Sequence, residues 1–229
     1  MAPMGTLYLV RHGQASFGAD DYDELSELGH RQARRLGAYW RQRFGAALSF
    51  DAVLTGTLRR QLQTWRGIAE GAGLANVPEL SWPGLNEYDG DAIIAATRRE
   101  PLPPPDTTEG YKAHFRALRL GLQAWMAGET APAGMPTHAQ FVQDVVAALD
   151  HVRQRYEGRV LLVSSGGPIT TAVGHVLQTP PAVTIALNLR YRNTAVTEMA
   201  FNAKRHSLVA YNALPHLADA RFKDWVTYA

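Results

Sequence analysis

Several residue and segment types are absent from this chain of 229 residues, and each absence excludes a class of chemistry. There is no cysteine, so disulfides, thiolate nucleophiles and thiolate metal sites are all excluded. No apolar run approaches the ~20 residues that a membrane-spanning helix needs. The first residues also lack a signal-peptide pattern. We therefore expect a cytoplasmic protein without a membrane partner.

The chain also has little excess of one charge sign over the other. The chain has 23 Lys and Arg against 21 Asp and Glu, a formal net charge of +2, and its basic residues are scattered among acidic ones. Nucleic-acid binding needs a concentrated basic surface, so we expect no nucleic-acid partner. With 46% hydrophobic and 19% charged residues, the composition is typical of an ordinary globular protein. We expect one domain spanning residues 1–229.

The eight histidines do not follow a metal-site pattern. No His-x-x-x-His pair occurs, and no histidine has a nearby carboxylate at metal-ligand spacing. We therefore predict neither a metal nor any other cofactor.

Short apolar runs alternate with helical patterns along the chain. The runs at 6–10, 52–55 and 159–164 each end at glycine or a small polar residue, as buried parallel strands do. Apolar residues at helical spacing predict helices after Ser26, over 58–72 and over 137–156, with further strands at 194–201 and 207–211. This alternation predicts an α/β three-layer sandwich with a mostly parallel central sheet and helices on both faces.

One stretch interrupts the alternation. It contains a proline run at 101–105, an amphipathic segment at 111–125 and a loose segment at 128–136. Because strands flank it on both sides, we expect an insertion at about residues 91–136 that folds as a helical cap over the sheet. The proline run would form a stiff surface loop within this cap.

Polar side chains follow the first two strands directly. Arg11, His12 and Gly13 come after the first strand, at the carboxyl end where open α/β sheets place ligands. Arg59 and Arg60 open the helix that follows the second strand. A helix N-terminus already favours anions, so cations beside it are explained if a phosphate binds there.

Two further segments can reach the same crevice. Glu87 supplies a carboxylate from a loop, and Ser165, Gly166 and Gly167 supply a hydroxyl and backbone N–H groups after the 159–164 strand. Hydroxyl and amide donors beside a helix start are suited to holding oxyanions. Four segments therefore converge on one predicted phosphate site.

In this order the motifs resemble the histidine phosphatase superfamily, the phosphoglycerate mutase-like enzymes. The family's strand-end Arg-His-Gly matches residues 11–13, its Arg-x-x-x-Thr matches Arg60 with Thr64, and its loop Glu matches Glu87. The resemblance runs from Thr6 to about Tyr211. It implies the family's α/β fold and a metal-free phosphate site.

The resemblance also assigns roles. It implies that His12 attacks phosphorus to form a phosphohistidine, that Arg11 and Arg60 hold the phosphoryl oxygens, and that Glu87 protonates the leaving alcohol.

A second group of residues is expected to contact substrate. It comprises Gly13, Gln14, Ser165, Gly166 and Gly167. The Gln14 side chain has two interpretations that the sequence leaves open, a substrate contact or a turn-stabilising amide.

Ser165 is where the chain departs from the family. A second histidine usually stands before Gly-Gly, and here a neutral hydroxyl replaces a group that can be a cation. Losing one preorganised donor to a developing oxyanion costs on the order of 3 kcal/mol. We therefore expect slower turnover rather than none.

These observations predict a phosphatase acting on a small phosphate monoester. One alternative is a catalytically weak family member that serves as a phosphate-ligand binding or regulatory module, and another is a phosphoglycerate mutase-type transferase. A third is a structural domain whose Arg-His-Gly is accidental. The family's mutases carry Glu-Ser after Arg-His-Gly, whereas this chain has Gln14 and Ala15, which favours hydrolysis. The identity of the substrate and a possible homodimer are left open.

Overall fold

A computed structural model describes residues 4–16, 23–98, 100, 102–104 and 107–228. Within these ranges six strands form one sheet and seven α-helices surround it. The strands are β1 (Gly5–Arg11), β2 (Ala52–Thr55), β3 (Glu79–Ser81), β4 (Arg159–Ser164), β5 (Val196–Asn202) and β6 (Arg205–Ala213). The helices are α1 (Glu27–Phe44), α2 (Arg59–Ala72), α3 (Gly90–Ala95), α4 (Thr108–Met126), α5 (His138–Arg155), α6 (Gly166–Leu177) and α7 (Pro181–Asn188).

The sheet is mostly parallel, in the order β3-β2-β4-β1-β5-β6. Strands β3, β2, β4 and β1 run parallel to one another, whereas β5 is antiparallel to both of its neighbours. The register of β1 against β4 places Arg11 opposite Ser164. The residues that follow these two strands therefore emerge side by side at one edge of the sheet.

Both faces of the sheet are covered by helices, which confirms the predicted α/β class. Leu7 and Leu9 of β1 pack into a core with residues of α5 and α6. Tyr8 and Val10 point to the opposite face and pack with residues of α1 and α2. Alternating side chains of one strand thus enter two cores, which explains why the strand is apolar throughout. Burying each large apolar side chain stabilises the fold by about 1.5–3 kcal/mol.

The predicted helix starts are confirmed where a capping residue marks them. Ser26 accepts a hydrogen bond from the Gly29 amide at the start of α1, and Thr137 does the same for Gln140 at the start of α5. The sequence patterns missed β3, α3 and α7. These elements are three to eight residues long, too short for a periodic apolar pattern to develop.

The stretch predicted as a cap insertion, residues 91–136, contains most of α3 and all of α4. The two helices pack closely. A Cβ added at Gly121 of α4 would lie only 2.8 Å from the Ile93 carbonyl oxygen of α3. Of the proline run, residues 102–104 are described, and residues 101 and 105 lie outside the described ranges. Among the helices of the described ranges, none combines the length and apolar character needed to cross a membrane.

Candidate active site

His12 lies directly after β1, and its ring is held in one tautomer. Its backbone amide donates to the Ser164 carbonyl at 2.8 Å, so the residue is tied to β4. The ring Nδ1 lies 2.7 Å from the Gly13 carbonyl oxygen. A carbonyl only accepts, so Nδ1 carries the hydrogen and Nε2 keeps its lone pair. His12 therefore presents a nucleophilic nitrogen.

The surroundings of His12 favour its neutral form. The residue is 4% exposed. Burial lowers the pKa of the imidazole well below its usual range, and the Arg11 and Arg60 guanidinium groups lower that pKa further. The hydrogen bond to Gly13 opposes this effect but does not outweigh it. A neutral imidazole near pH 7 is the form that can attack phosphorus.

Arg60 connects His12 to the loop ahead of α1. Its Nε donates to His12 Nε2 at 3.2 Å, and its Nη1 lies 2.7 Å from Asp23 Oδ1. The preceding Arg59 is directed elsewhere, to an ion pair with Glu24 at the surface. Successive helical residues point about 100° apart, so one arginine of the pair reaches the site and the other does not.

Thr64 explains the spacing of the Arg-x-x-x-Thr motif. Its hydroxyl accepts a hydrogen bond from the Gly13 amide at 3.0 Å and donates to the Arg60 carbonyl one turn back at 2.7 Å. The other side of Gly13 lies against α1, where an added Cβ would be 2.5 Å from the Gly29 carbonyl oxygen. The loop after β1 is thus fixed between α1 and α2, and only glycine fits there.

The segment before β5 forms hydrogen bonds with Arg11 and with the backbone next to it. The Arg11 guanidinium donates to the Tyr191 carbonyl oxygen. Asn193 Nδ2 donates to the His12 carbonyl at 3.1 Å, and the Thr194 amide donates to the Arg11 carbonyl at 3.1 Å. Thr194 has φ +52°, an uncommon conformation for a β-branched residue, and such backbone clusters at functional sites.

Glu87 faces the start of α6. Both of its carboxyl oxygens lie within hydrogen-bond distance of the Gly167 amide, at 3.1 and 3.2 Å. Burial raises the pKa of the Glu87 carboxyl, although the Gly167 hydrogen bond and the Arg11 and Arg60 charges lower that pKa. Both arginines therefore act on Glu87 as well as on His12. The four residues that the sequence assigned to catalysis share one site.

Ser165 lies between β4 and α6 and is fully buried. Its hydroxyl does not cap α6; instead it accepts a hydrogen bond from Gln61 Nε2 at 2.9 Å. The same amide nitrogen donates to the Leu85 carbonyl at 3.0 Å. Because Gln61 supplies the donor, the Ser165 hydroxyl hydrogen remains available for another acceptor. Gly166 begins α6, and the Gly167 amide is directed at Glu87 rather than into an oxyanion cradle.

Gln14 is engaged with the start of α1. Its side-chain oxygen accepts a hydrogen bond from Ser26 Oγ at 2.8 Å, and its backbone N–H donates to Gln32 Oε1 at 2.8 Å. The sequence left two interpretations of the Gln14 side chain open, a substrate contact or an amide that stabilises a turn. This geometry supports the second.

Three residues of the site were missed by sequence reasoning, namely Asp23, Gln61 and Asn193. Asp23 lies in an acidic stretch that suggests only a solvated surface, although it pairs with Arg60. Gln61 and Asn193 are single amides that no spacing rule marks, and both are buried. Their one signal is their position in the sequence. Gln61 directly follows Arg60, and Asn193 lies three residues before β5.

The positive charge that the described side chains bring to the site comes from Arg11 and Arg60. In the part of the chain that the structure describes, no three His, Asp or Glu side chains are grouped as ligands for a metal ion.

A model of the histidine phosphatase superfamily (branch 1) matches residues 7–214. The chain belongs to this superfamily. The match begins in β1 and ends after β6, so it includes the segments that contribute Arg11, His12, Arg60, Glu87 and Ser165. This confirms the family that the motifs indicated and makes a phosphatase-type or mutase-type enzyme the coarse assignment.

Individual members of the superfamily are similar to different extents. A 2,3-bisphosphoglycerate-dependent phosphoglycerate mutase of Bartonella quintana is 32% identical over 90 residues, which span 37% of this chain and 42% of the mutase. A phosphoserine phosphatase of Entamoeba histolytica, solved with phosphoserine, is 20% identical with a TM-score of 0.63, covering 93% of this chain and 99% of that one. A phosphoglycerate mutase of Bacillus anthracis is 16% identical with a TM-score of 0.65, covering 94% and 96%. At these identities the solved structures establish the shared fold.

Proposed function

We propose that this chain is a phosphatase that hydrolyses a small phosphate monoester through a phosphohistidine on His12. The observation that carries the proposal is the state of His12. Its Nδ1 donates to a carbonyl, its Nε2 lone pair faces Arg60, and its surroundings lower its pKa. A neutral, oriented imidazole between two guanidinium groups is what phosphoryl transfer to nitrogen requires.

In the first step His12 Nε2 forms a bond to phosphorus as the bond from phosphorus to the ester oxygen breaks. Arg60 releases the Nε2 lone pair and binds phosphoryl oxygens, together with Arg11. The departing alkoxide takes its proton from Glu87, whose raised pKa keeps the acid form available. The products of this step are the alcohol and phosphohistidine.

In the second step water attacks phosphorus, and the bond from phosphorus to Nε2 breaks. Glu87, now a carboxylate, accepts a proton from the water, and inorganic phosphate leaves with His12 restored. The Gly167 amide donates to this carboxylate, which stabilises the charge that Glu87 carries between the two steps.

Ser165 contributes a neutral donor to the same site. With its hydroxyl oxygen accepting from Gln61, its hydrogen is free to bind a phosphoryl oxygen. A neutral hydrogen bond is about half as strong as a charge-assisted one, so turnover is slower than with a cation at this position.

The test is release of phosphate from 4-nitrophenyl phosphate and phenyl phosphate in the presence of a chelator. We expect the parent protein to turn over both esters and His12→Ala to lose activity by at least about a thousandfold. Rapid quenching should trap an acid-labile, base-stable phosphoryl group on the parent but not on His12→Ala. The control His30→Ala changes a histidine in the second turn of α1 and should behave as the parent.

If the parent and His12→Ala are equally inactive while both bind inorganic phosphate, the chain is a phosphate-ligand binding module. The partial match to a phosphoglycerate mutase also supports a transferase candidate. Phosphoryl transfer from the trapped phosphohistidine to an added alcohol, in preference to water, would decide for that candidate.

A further inference from the structure

An open groove lies between the N-terminal half of α4 and the segments that follow α7 and precede the C-terminus. It is lined by aromatic, cationic and aliphatic side chains: Tyr111, Lys112, Phe115, Arg116, Leu189, Arg190 and Tyr228. None of these residues belongs to the phosphate site described above.

The groove adjoins the phosphate site through the segment 188–191. At one end of this segment, Asn188 Oδ1 would lie 2.6 Å from a Cβ added at Gly166. At the other end, the Tyr191 carbonyl accepts from Arg11. Leu189 and Arg190, which line the groove, are thus held between two contacts to phosphate-site residues.

The C-terminal wall of the groove is anchored to the same place. Thr227 Oγ1 donates to Asn193 Oδ1 at 3.0 Å, and Asn193 Nδ2 donates to the His12 carbonyl. Tyr228, the next residue, lines the groove. The wall of the groove is thus connected to the His12 backbone through Asn193.

The groove has two arginines available for an anion. Among the described residues, neither Arg116 nor Arg190 has a carboxylate at ion-pair distance, whereas Lys112 is paired with Glu109 at 2.9 Å. An arginine offers a planar fork of donors that suits a carboxylate or phosphate. Two such groups in one concave surface favour a second negative charge on the ligand.

The aromatic residues favour a flat apolar body. Tyr111 and Phe115 are one helical turn apart, with ring centroids at 6.5 Å and planes inclined by 25°. Tyr111 is 55% exposed and Tyr228 is 50% exposed, so both present ring surface to a ligand. Exposed rings beside guanidinium groups bind planar anions by stacking and by charge.

We infer that this groove binds the leaving group of the substrate, and that this leaving group is an aromatic ring carrying a second anionic group. The inference rests on the proposed function. It narrows the substrate class from any small phosphate monoester to a dianionic aryl or heteroaryl one.

The test compares phenyl phosphate with 4-carboxyphenyl phosphate. We expect the parent to have a kcat/KM at least about tenfold higher for the carboxylated ester, since one charge-assisted contact is worth about that factor. Arg116→Gln and Arg190→Gln should each raise KM for 4-carboxyphenyl phosphate about tenfold and leave KM for phenyl phosphate within about twofold. Tyr111→Ala should raise KM for both aryl esters but not for 3-carboxypropyl phosphate.

The matched control is Arg119→Gln. Arg119 is an exposed arginine of α4, three residues after Arg116, and it does not line the groove. The substitution should change neither KM. Equal kcat/KM for the two aryl esters in the parent, or arginine variants Arg116→Gln and Arg190→Gln that affect both esters alike, would overturn the inference.

A binding measurement separates this inference from the proposed function. Calorimetric titration of His12→Ala with the two aryl esters reports on the groove without turnover. Tighter binding of the carboxylated ester, lost in His12→Ala/Arg116→Gln, supports the groove even if the parent hydrolyses neither ester. Equal binding of the two esters rejects the groove even if the parent hydrolyses both.

Discussion

The candidate active site has two sides that differ in how they carry charge. The arginine side consists of Arg11, His12 and Arg60, which are at most 8% exposed. The serine side consists of Gln61, Glu87 and Ser165, whose contacts are amide, hydroxyl and carboxyl hydrogen bonds. Helix α2 supplies both, since it directs Arg60 to one side and Gln61 to the other.

This difference shows how one site can combine charged and neutral hydrogen-bonding groups. On the serine side the Gln61 amide satisfies the Ser165 hydroxyl without introducing charge. On the arginine side burial lowers the pKa of His12, the two guanidinium groups lower that pKa further, and the same groups limit the rise of the Glu87 pKa. We therefore expect transition-state charge to be stabilised mainly by the arginine side, and substitutions there to have the larger effects.

Among substitutions that keep His12, the largest effect should follow from Arg60→Gln. This change removes a cation that binds the transferring phosphoryl group, and removal of one such donor costs about 10²–10³ in kcat. It also removes a charge that lowers the pKa of His12, so that pKa should rise. Steady-state hydrolysis of phenyl phosphate and an NMR titration of the His12 ring measure the two effects.

Arg59→Gln is the matched control for Arg60→Gln. Arg59 is the neighbouring arginine, and its side chain pairs with Glu24 at the surface. Exposed ion pairs contribute about 0–1 kcal/mol to stability, so kcat should stay within about twofold of the parent. If Arg59→Gln and Arg60→Gln reduce kcat equally, the assignment of Arg60 rather than Arg59 to the arginine side is wrong.

Sequence reasoning reached the arginine side more fully than the serine side, for a physical reason. Arg11, His12 and Gly13 follow a strand directly, and Arg60 and Thr64 are one helical turn apart, so local spacing fixes their relation. The strands and helices with enough length to show a period were predicted for the same reason. On this side, residues that are close in the sequence are also close in the folded site.

The serine side depends on contacts between segments distant in sequence. Gln61 meets Ser165 across 104 positions, and Glu87 meets Gly167 across 80. No period or motif encodes such a pair, because it arises only when β2, β4 and the loop before α3 are assembled. The same holds for Asp23 with Arg60 and for Asn193 with the His12 carbonyl.

An intermediate effect is expected for Glu87→Gln, and it should depend on the leaving group. Phenoxide needs a proton to leave, so the pre-steady-state burst with phenyl phosphate should slow by about a hundredfold. The burst with 4-nitrophenyl phosphate, whose leaving group needs no proton, should change by less than about threefold. Equal slowing with both esters would contradict the role of Glu87 as an acid.

The pH profile gives a second test of Glu87. In the parent, kcat/KM for phenyl phosphate requires neutral His12 and protonated Glu87. Because the pKa of His12 is lowered, the acid limb should lie well below the usual histidine range. Because the pKa of Glu87 is raised, activity should persist above the usual carboxyl range and then fall as Glu87 ionises. Glu87→Gln should lose this alkaline limb and keep the acid limb.

The smallest effect should follow from Ser165→Ala, which removes a neutral donor and should lower kcat by about tenfold. Gln61→Leu should cause a similar loss if Gln61 acts by orienting Ser165, and the double variant should lose no more than either single one. The neighbouring Ser164→Ala is the control, because the Ser164 hydroxyl donates to the Leu85 carbonyl. It should cost about 1 kcal/mol of unfolding free energy and leave kcat unchanged.

Introducing a cation on the serine side sharpens the comparison further. Ser165 is fully buried beside Gln61, so Ser165→His alone lacks space and should lower the melting temperature. Gln61→Ala/Ser165→His provides that space, and the imidazolium should raise kcat about tenfold over the parent by strengthening the contact with the phosphoryl oxygens. A folded double variant without this gain would mean that Ser165 does not face the transferring phosphoryl group, and that the arginine side alone stabilises it.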